Sequence, residues 1–205
     1  MVGIAQHVPL FTKMVDRLAP ISAELASAFK AAGIGVVGRY LETLTPYERD
    51  NLFEVGLGIL PLSKAPPQPL SAAFGRARAE ELLQKASLLG VPAGVHLMID
   101  LEAQQGDHTD VVGYDSELST EIARIGYIPL AYIGADQRLS SAELFTLPDI
   151  HLYWRGGSLG IPEPACGFAI WQIPPLEQQV CGSIVDMSLT GADLRGRRPI
   201  FWYPD

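Results

Sequence analysis

Short apolar runs alternate with helical patterns along most of this 205-residue chain, and that alternation constrains the fold more than any other feature. Phe11 to Asp16 reads as a strand, and a helix follows from about Ile21 to Ala32, stopped by Gly33. Val36 to Leu41 is the next strand. Thr45, Pro46 and Glu48 then supply a capping hydroxyl, a first-turn proline and a glutamate three residues after the cap, opening a helix to about Val55. Leu57 to Leu62 is a strand and 65–69 a proline-rich loop. Ser71 starts a helix that runs to Leu89 and ends at Gly90. A strand within Ala93–Ala103 is followed by a helix over Tyr114–Ile125, a strand over Ile128–Ile133 and a short helix over Ser140–Leu147. Three more strand patterns, Ile150–Trp154, Gly167–Ile173 and Ser183–Met187, are joined by Gly- and Pro-rich links with little helical period.

Eight strands with helices confined mainly to the first five connections predict a single α/β domain over residues 1–205. Its expected form is a (β/α)8-type TIM barrel whose last three strands are irregular and helix-poor. A doubly wound open sheet is the structural alternative. No Gly-rich phosphate loop follows the first strand, which weighs against a nucleotide-binding version of it.

Chemistry concentrates in the stretch from Ala93 to Ala103, whose two parities differ. Val95, Leu97, Ile99 and Leu101 are apolar, whereas Gly94, His96, Met98, Asp100 and Glu102 share the other face, which turns acidic only at its C-terminal end. Parallel α/β folds build their sites where strands end. Two carboxylates projecting there suit acid catalysis on a glycosidic bond, or a metal site.

Composition removes other classes. A 48% hydrophobic and 19% charged content describes a globular chain. The net charge is −8 with no run of Lys or Arg, so nucleic acid is not an expected partner. The short basic cluster Arg195–Arg198 reads as a solvated loop. No uninterrupted apolar segment approaches a membrane span, and Pro9, Lys13 and Asp16 break the early apolar residues, so no secretory signal is visible. The expectation is therefore cytoplasmic synthesis with no membrane contact, non-classical export being the route to any cell-wall target. Cys166 and Cys181 each open an apolar strand-like run and are expected as two buried free thiols. His7, His108 and His151 lack metal-ligand spacing, and His96, below Asp100 on its strand, reads as a hydrogen-bonded core residue.

At this point the chain resembles the glycoside-hydrolase-like barrels related to family 25 lysozymes, including a bacterial subfamily whose activity is poorly defined. The residues that carry the resemblance are Val37-Gly-Arg-Tyr-Leu41 with Leu44, Thr45 and Glu48 downstream, and Ala77 to Gly94 leading into Ile99-Asp-Leu-Glu102. Tyr153-Trp154, Ala169-Ile-Trp-Gln172 and Val185-Asp186 continue the match. The resemblance implies catalytic carboxylates at the ends of the first, fourth and last strands, here Asp16, Asp100, Glu102 and Asp186. In a closed barrel the first and last strands adjoin, so Asp16 and Asp186 should meet and face Asp100 and Glu102 across the mouth. Crowded carboxylates raise at least one pKa, and Glu102 is the expected general acid, with Asp100 orienting a 2-acetamido group or stabilising charge at the anomeric carbon. Arg39, Tyr132, Trp154, Trp171 and Gln172 are the substrate-binding candidates.

The expected function is hydrolysis of an N-acetylated glycan, peptidoglycan above all, by a monomer without cofactor or metal, partnered at most by a delivery apparatus or an immunity protein. The alternatives are a non-catalytic glycan-binding barrel and a carboxylate metal site. Each site residue also has a plain structural reading: exposed strand ends for Asp100 and Glu102, a cap or turn for Asp16 and Asp186, core for Trp171. The chain departs from the lysozyme pattern at Arg17-Leu18-Ala19, which follows Asp16 in place of a small polar residue and a Gln. It departs again at Leu60–Lys64, where aromatic residues are expected.

Overall fold

The computed structural model describes residues 3–205. Its first half runs β1 (Gly3–His7), β2 (Lys13–Asp16), α1 (Ala23–Ala31), β3 (Ile34–Tyr40), α2 (Pro46–Glu54), β4 (Gly58–Ser63), α3 (Ala72–Leu89) and β5 (His96–Asp100). The second half runs α4 (His108–Arg124), β6 (Ile128–Ile133), α5 (Ser141–Thr146), β7 (Leu152–Arg155), β8 (Ile170–Gln172), β9 (Gln178–Val180), β10 (Ser183–Thr190) and β11 (Ile200–Pro204).

Helix starts follow the chemistry of their first residues. Ser22, Thr45, Ser71 and Ser140 each accept a backbone N–H of the following turn through the side chain, and Gly90 closes α3 in the left-handed conformation. The fourth helix begins at His108, well before the expected Tyr114. Its first turn is polar, so the apolar period becomes legible only later.

Eight strands close into a barrel in the order β2-β3-β4-β5-β6-β7-β8-β10. From β2 to β8 each pair is parallel, as the α/β pattern requires. The last strand of the ring, β10, is antiparallel to both β8 and β2. A parallel return needs a crossover of about a dozen residues or more. The link from Gln172 to Ser183 holds only β9, which folds back on β10, so the chain can return only in the opposite sense.

Two strands outside the ring escape the sequence pattern altogether. β1 and β11 pair antiparallel to each other, and β11 lies beside β4 with Trp202 opposite Ile59. The seam between β4 and β5 is paired only near the mouth, at Leu62↔Met98 and Ser63↔Ile99. Below it, β11 is tied to β5 by the Ile200 N–H, which donates to His96 Nδ1 at 2.9 Å. His96 is thus the hydrogen-bonded core residue its position suggested.

Burial follows strand parity. Met14, Val36, Leu60, Leu62, Met98, Leu130, Leu152, Trp154 and Ile170 fill the barrel interior and floor the mouth. The opposite parity, including Val15, Val37, Ile59, Leu97, Ile99 and Ile133, packs under Phe29, Leu52, Leu82, Leu118 and Ile122 of the helices. Cys166 is buried as expected. Cys181 is not: it sits exposed in the β9–β10 turn at φ 51°, because the hairpin carries it outside the core. Both thiols are free.

Candidate active site

The four carboxylates lie in one cleft. Asp16, Asp100, Glu102 and Asp186 line a cavity of about 80 Å³ at the mouth, together with Tyr40, Met98, Tyr132, Trp154 and Gln172. A second recess of about 260 Å³ shares Asp16, Tyr40 and Asp186 and continues over Arg17, Leu18, Glu177 and Ile184. A groove therefore leads from the acidic centre across β2 and β10.

Register explains the meeting of distant residues. Asp16 ends β2 and stands directly opposite Asp186 in the antiparallel β2–β10 pair. Asp186 reaches the mouth from the first half of its strand and not from a carboxyl end, since β10 runs the other way. Across the opening, β5 ends at Asp100, and Glu102 lies just beyond it in a turn. The turn is fixed by two contacts: the Glu102 N–H donates to Asp100 Oδ1 at 2.9 Å, and Glu102 Oε1 accepts from the Ala135 N–H at 2.8 Å.

Desolvation and like charge perturb the centre. Burial, then the charges of Asp186 and Asp100, hold the Asp16 carboxyl well above the usual range. Burial pushes Asp100 up to about 7, opposed by the Glu102 N–H bond and reinforced by the Glu102 charge. Burial likewise raises the Tyr40 and Tyr132 phenols, with the surrounding carboxylates adding to it, so both stay protonated donors. A carboxyl whose pKa is raised toward neutrality among other carboxyls is the arrangement general acid catalysis requires.

The opposite side of the cleft is hydrogen-bonded and aromatic. Gln172 Oε1 accepts from the Tyr132 hydroxyl at 2.9 Å and from the Gly157 N–H at 2.8 Å. The Tyr132 and Trp154 rings meet edge to face with centroids 5.0 Å apart. Trp154 is buried, and its indole N–H has no hydrogen-bond partner among the described residues. Glycines give this wall its room: a Cβ at Gly134 would lie 2.4 Å from Glu102 Oε1, and one at Gly156 would lie 2.8 Å from the Tyr132 hydroxyl oxygen.

Two expected site residues lie elsewhere. Arg39 has the outward parity of β3 and is fully buried beneath α2, where its guanidinium pairs with Glu48 (Nε to Oε1, 2.6 Å) and also bonds the Arg17 and Leu18 carbonyls. It braces the turn after β2 and does not reach the cleft. Trp171 also faces outward, opposite Leu189 and over Gly191, on the flank that no helix covers. Tyr132, Trp154 and Gln172 do line the cleft, as expected. Tyr40 does too, a residue the sequence pattern does not single out. Both parities of Val36–Leu41 are apolar enough to be core, and the neighbouring Arg39 drew the polar assignment. Its position as the last residue of a strand was the available signal. Among the described residues no group of three or more His, Cys, Asp and Glu side chains is arranged to hold a metal ion, and no helix is long and apolar enough to cross a membrane.

Comparison with known proteins agrees with the barrel fold. The sequence profile of the Rv2525c-like, glycoside hydrolase-like domain family matches residues 27–172. A comparison with curated protein sequences found no match. Among solved structures, an uncharacterized protein of B. stearothermophilus superposes with a TM-score of 0.71 at 18% identity, over 87% of this chain and 95% of that one. The Tat-secreted protein Rv2525c of Mycobacterium tuberculosis, solved with L-tartrate, gives 0.67 at 17% identity, over 88% and 95%. A family 25 glycosyl hydrolase of Bacillus anthracis gives 0.58 at 14%, over 90% and 92%.

Proposed function

The chain belongs to the Rv2525c-like, glycoside hydrolase-like domain family, and from that premise we propose that it hydrolyses a glycosidic bond in an N-acetylated glycan, with peptidoglycan as the substrate class. The observation that carries the reading is the convergence of Asp16, Asp100, Glu102 and Asp186 on one cleft, where burial raises the pKa of the Asp16 and Asp100 carboxyls.

Asp100 and Glu102 act as a coupled pair. The resting proton sits on the more desolvated Asp100. Glu102, beyond the strand end, is the group placed to deliver a proton to the leaving-group oxygen, and its Ala135 contact holds that carboxyl in place. The proton passes from Asp100 to Glu102 and on to the leaving oxygen as the glycosidic C–O bond breaks. Ionised Asp100 stabilises positive charge at the anomeric centre or on a participating acetamido group, and water then adds at the anomeric carbon and returns a proton to the pair. Asp16 and Asp186 border both recesses, where they are positioned to bond sugar hydroxyls, and the free Trp154 N–H supplies a donor at the cleft base.

The test is muropeptide release from purified cell walls. Wild type releases soluble fragments, while Glu102→Gln and Asp100→Asn each lose at least about a hundredfold in rate, the usual weight of general acid catalysis. Wild type and Glu102→Gln turning over alike would refute the assignment. A binding-only barrel is the second reading, favoured by Arg17 and Leu18, which line the recess beside Asp16 where the lysozyme pattern has a small polar residue and a Gln. It predicts saturable glycan binding without product.

A further inference from the structure

The end of the barrel opposite the acidic mouth holds a second cavity, of about 440 Å³, large enough for a small organic ligand. His96 starts β5 and Asp100 ends it, which places the two cavities about 13 Å apart along the strand. The chemistry of this second cavity is the reverse of the first. Arg197, Arg198, His7, His96 and His151 line it, over an apolar floor that includes Ile128 and Leu152. In a chain of net charge −8, this gathers cationic and N–H-donating groups at one place.

We propose that this cavity binds a small oxyanion carried on an apolar body, the shared chemistry of an aryl or alkyl phosphomonoester and a carboxylate.

Three observations support it. His96 is only 5% exposed, and its Nδ1 lies 2.9 Å from the Ile200 nitrogen and 3.2 Å from the Ile200 carbonyl oxygen, so the backbone of β11 fixes the ring in place. The ring borders the cavity, which makes it a fixed polar edge of the site. Arg198 lines the cavity with no carboxylate or carbonyl partner among the described residues, leaving its fork of donors available for a planar or tetrahedral oxyanion. The loop presenting it is braced from behind. Asp193 is buried, accepts the Arg195 and Arg197 N–H groups at 2.9 and 2.8 Å, and takes the Arg197 guanidinium at 2.7 Å. Asp193 thus neutralises Arg197 and leaves Arg198 uncompensated. Arg195 and Gly196 are exposed, as the solvated loop read from the sequence requires, while Arg197 and Arg198 are half-buried against the cavity.

The experiment titrates the intact chain, at constant pH and ionic strength, with phenyl phosphate, inorganic phosphate and benzoate, followed by calorimetry and backbone amide shifts. One saturable site per chain is expected for phenyl phosphate or benzoate, with amide shifts centred on His96 and Ile200. The stronger of the two identifies the anion class. Phenyl phosphate binding more tightly than inorganic phosphate reports the apolar floor. Arg198→Gln should weaken binding about tenfold and leave the unliganded unfolding midpoint unchanged, because the Arg198 side chain has no hydrogen-bond or ion-pair partner among the described residues. Equal affinity in wild type and Arg198→Gln, shifts confined to the acidic mouth, or no saturable binding of any probe would each overturn the proposal.

Discussion

Asp100→Asn should stabilise the fold at alkaline pH while abolishing activity. Burial raises the Asp100 carboxyl from 3.8 to about 7. At about 1.4 kcal/mol per pH unit, ionising it inside the folded barrel costs up to about 4 kcal/mol relative to the unfolded chain. The cleft is open to water on one side and the group is coupled to Glu102, so about half of that, roughly 2 kcal/mol, is the realistic figure. The sign follows from proton binding. The folded state holds this proton more tightly than the unfolded one, so the contribution favours folding fully below about pH 4 and is lost as pH rises through 7.

Asparagine removes the titration and keeps an amide oxygen to accept the Glu102 N–H, the stronger of the two backbone contacts to Asp100. Urea unfolding at pH 4, 6 and 8 measures the effect. The variant should match wild type at pH 4 and exceed it by about 2 kcal/mol at pH 8, a midpoint shift of about 1 M. Asp16 and Asp115 titrate in both proteins, and loss of the Asp100 charge lowers both of their pKa values, which adds in the same direction to the stabilisation at pH 8. Equal stability differences at pH 4 and pH 8, or a weaker variant at pH 8, would refute the desolvation argument.

Glu48→Ala should cost about 3–5 kcal/mol in urea unfolding, since it strands the buried Arg39 guanidinium and the Ile21 N–H that Glu48 accepts; a loss under 1 kcal/mol would show that Arg39 finds another partner. Gly38→Ala places a Cβ 2.8 Å from the Asp16 Cβ and 3.1 Å from Leu62 Cδ1. It should destabilise by about 1–3 kcal/mol and reduce any cell-wall turnover by displacing Asp16, and a fully active, equally stable variant would contradict the packing. A thiol reagent should label Cys181 in the native protein and reach Cys166 only on unfolding, as mass spectrometry of labelled peptides would show.

How much of this was legible in the sequence depended on whether one strand face was polar. In β5 the two faces differ in character, so the parity of Asp100 could be assigned from residue types alone. In β3 every position is apolar, glycine, arginine or tyrosine, and nothing local says that Tyr40 points inward and Arg39 outward. The pairing of Asp16 with Gly38 across β2 and β3 settles it, and register is a tertiary property. Trp171 was misplaced for the same reason: Gln172, one residue on, has the inward parity. The β1–β11 pair was illegible because its strands are terminal and pair with one another across the whole length of the chain.

Charge perturbation by itself would also have misled. Asp115, wholly buried in α4, is pushed by burial to about 8 with only the Gln104 amide donating to it at 2.7 Å, yet it does not line the cleft. What distinguishes Asp16 and Asp100 is that each shares a cavity wall with carboxylates from other strands, and that sharing rests on ring closure. Asp16 meets Asp186 only because a short hairpin link forces β10 to run antiparallel between β8 and β2. A longer link that allowed a parallel return would reverse β10 and carry Asp186 away from its present register with Asp16. The helix-poor final third of the barrel is therefore what brings the fourth carboxylate to the mouth.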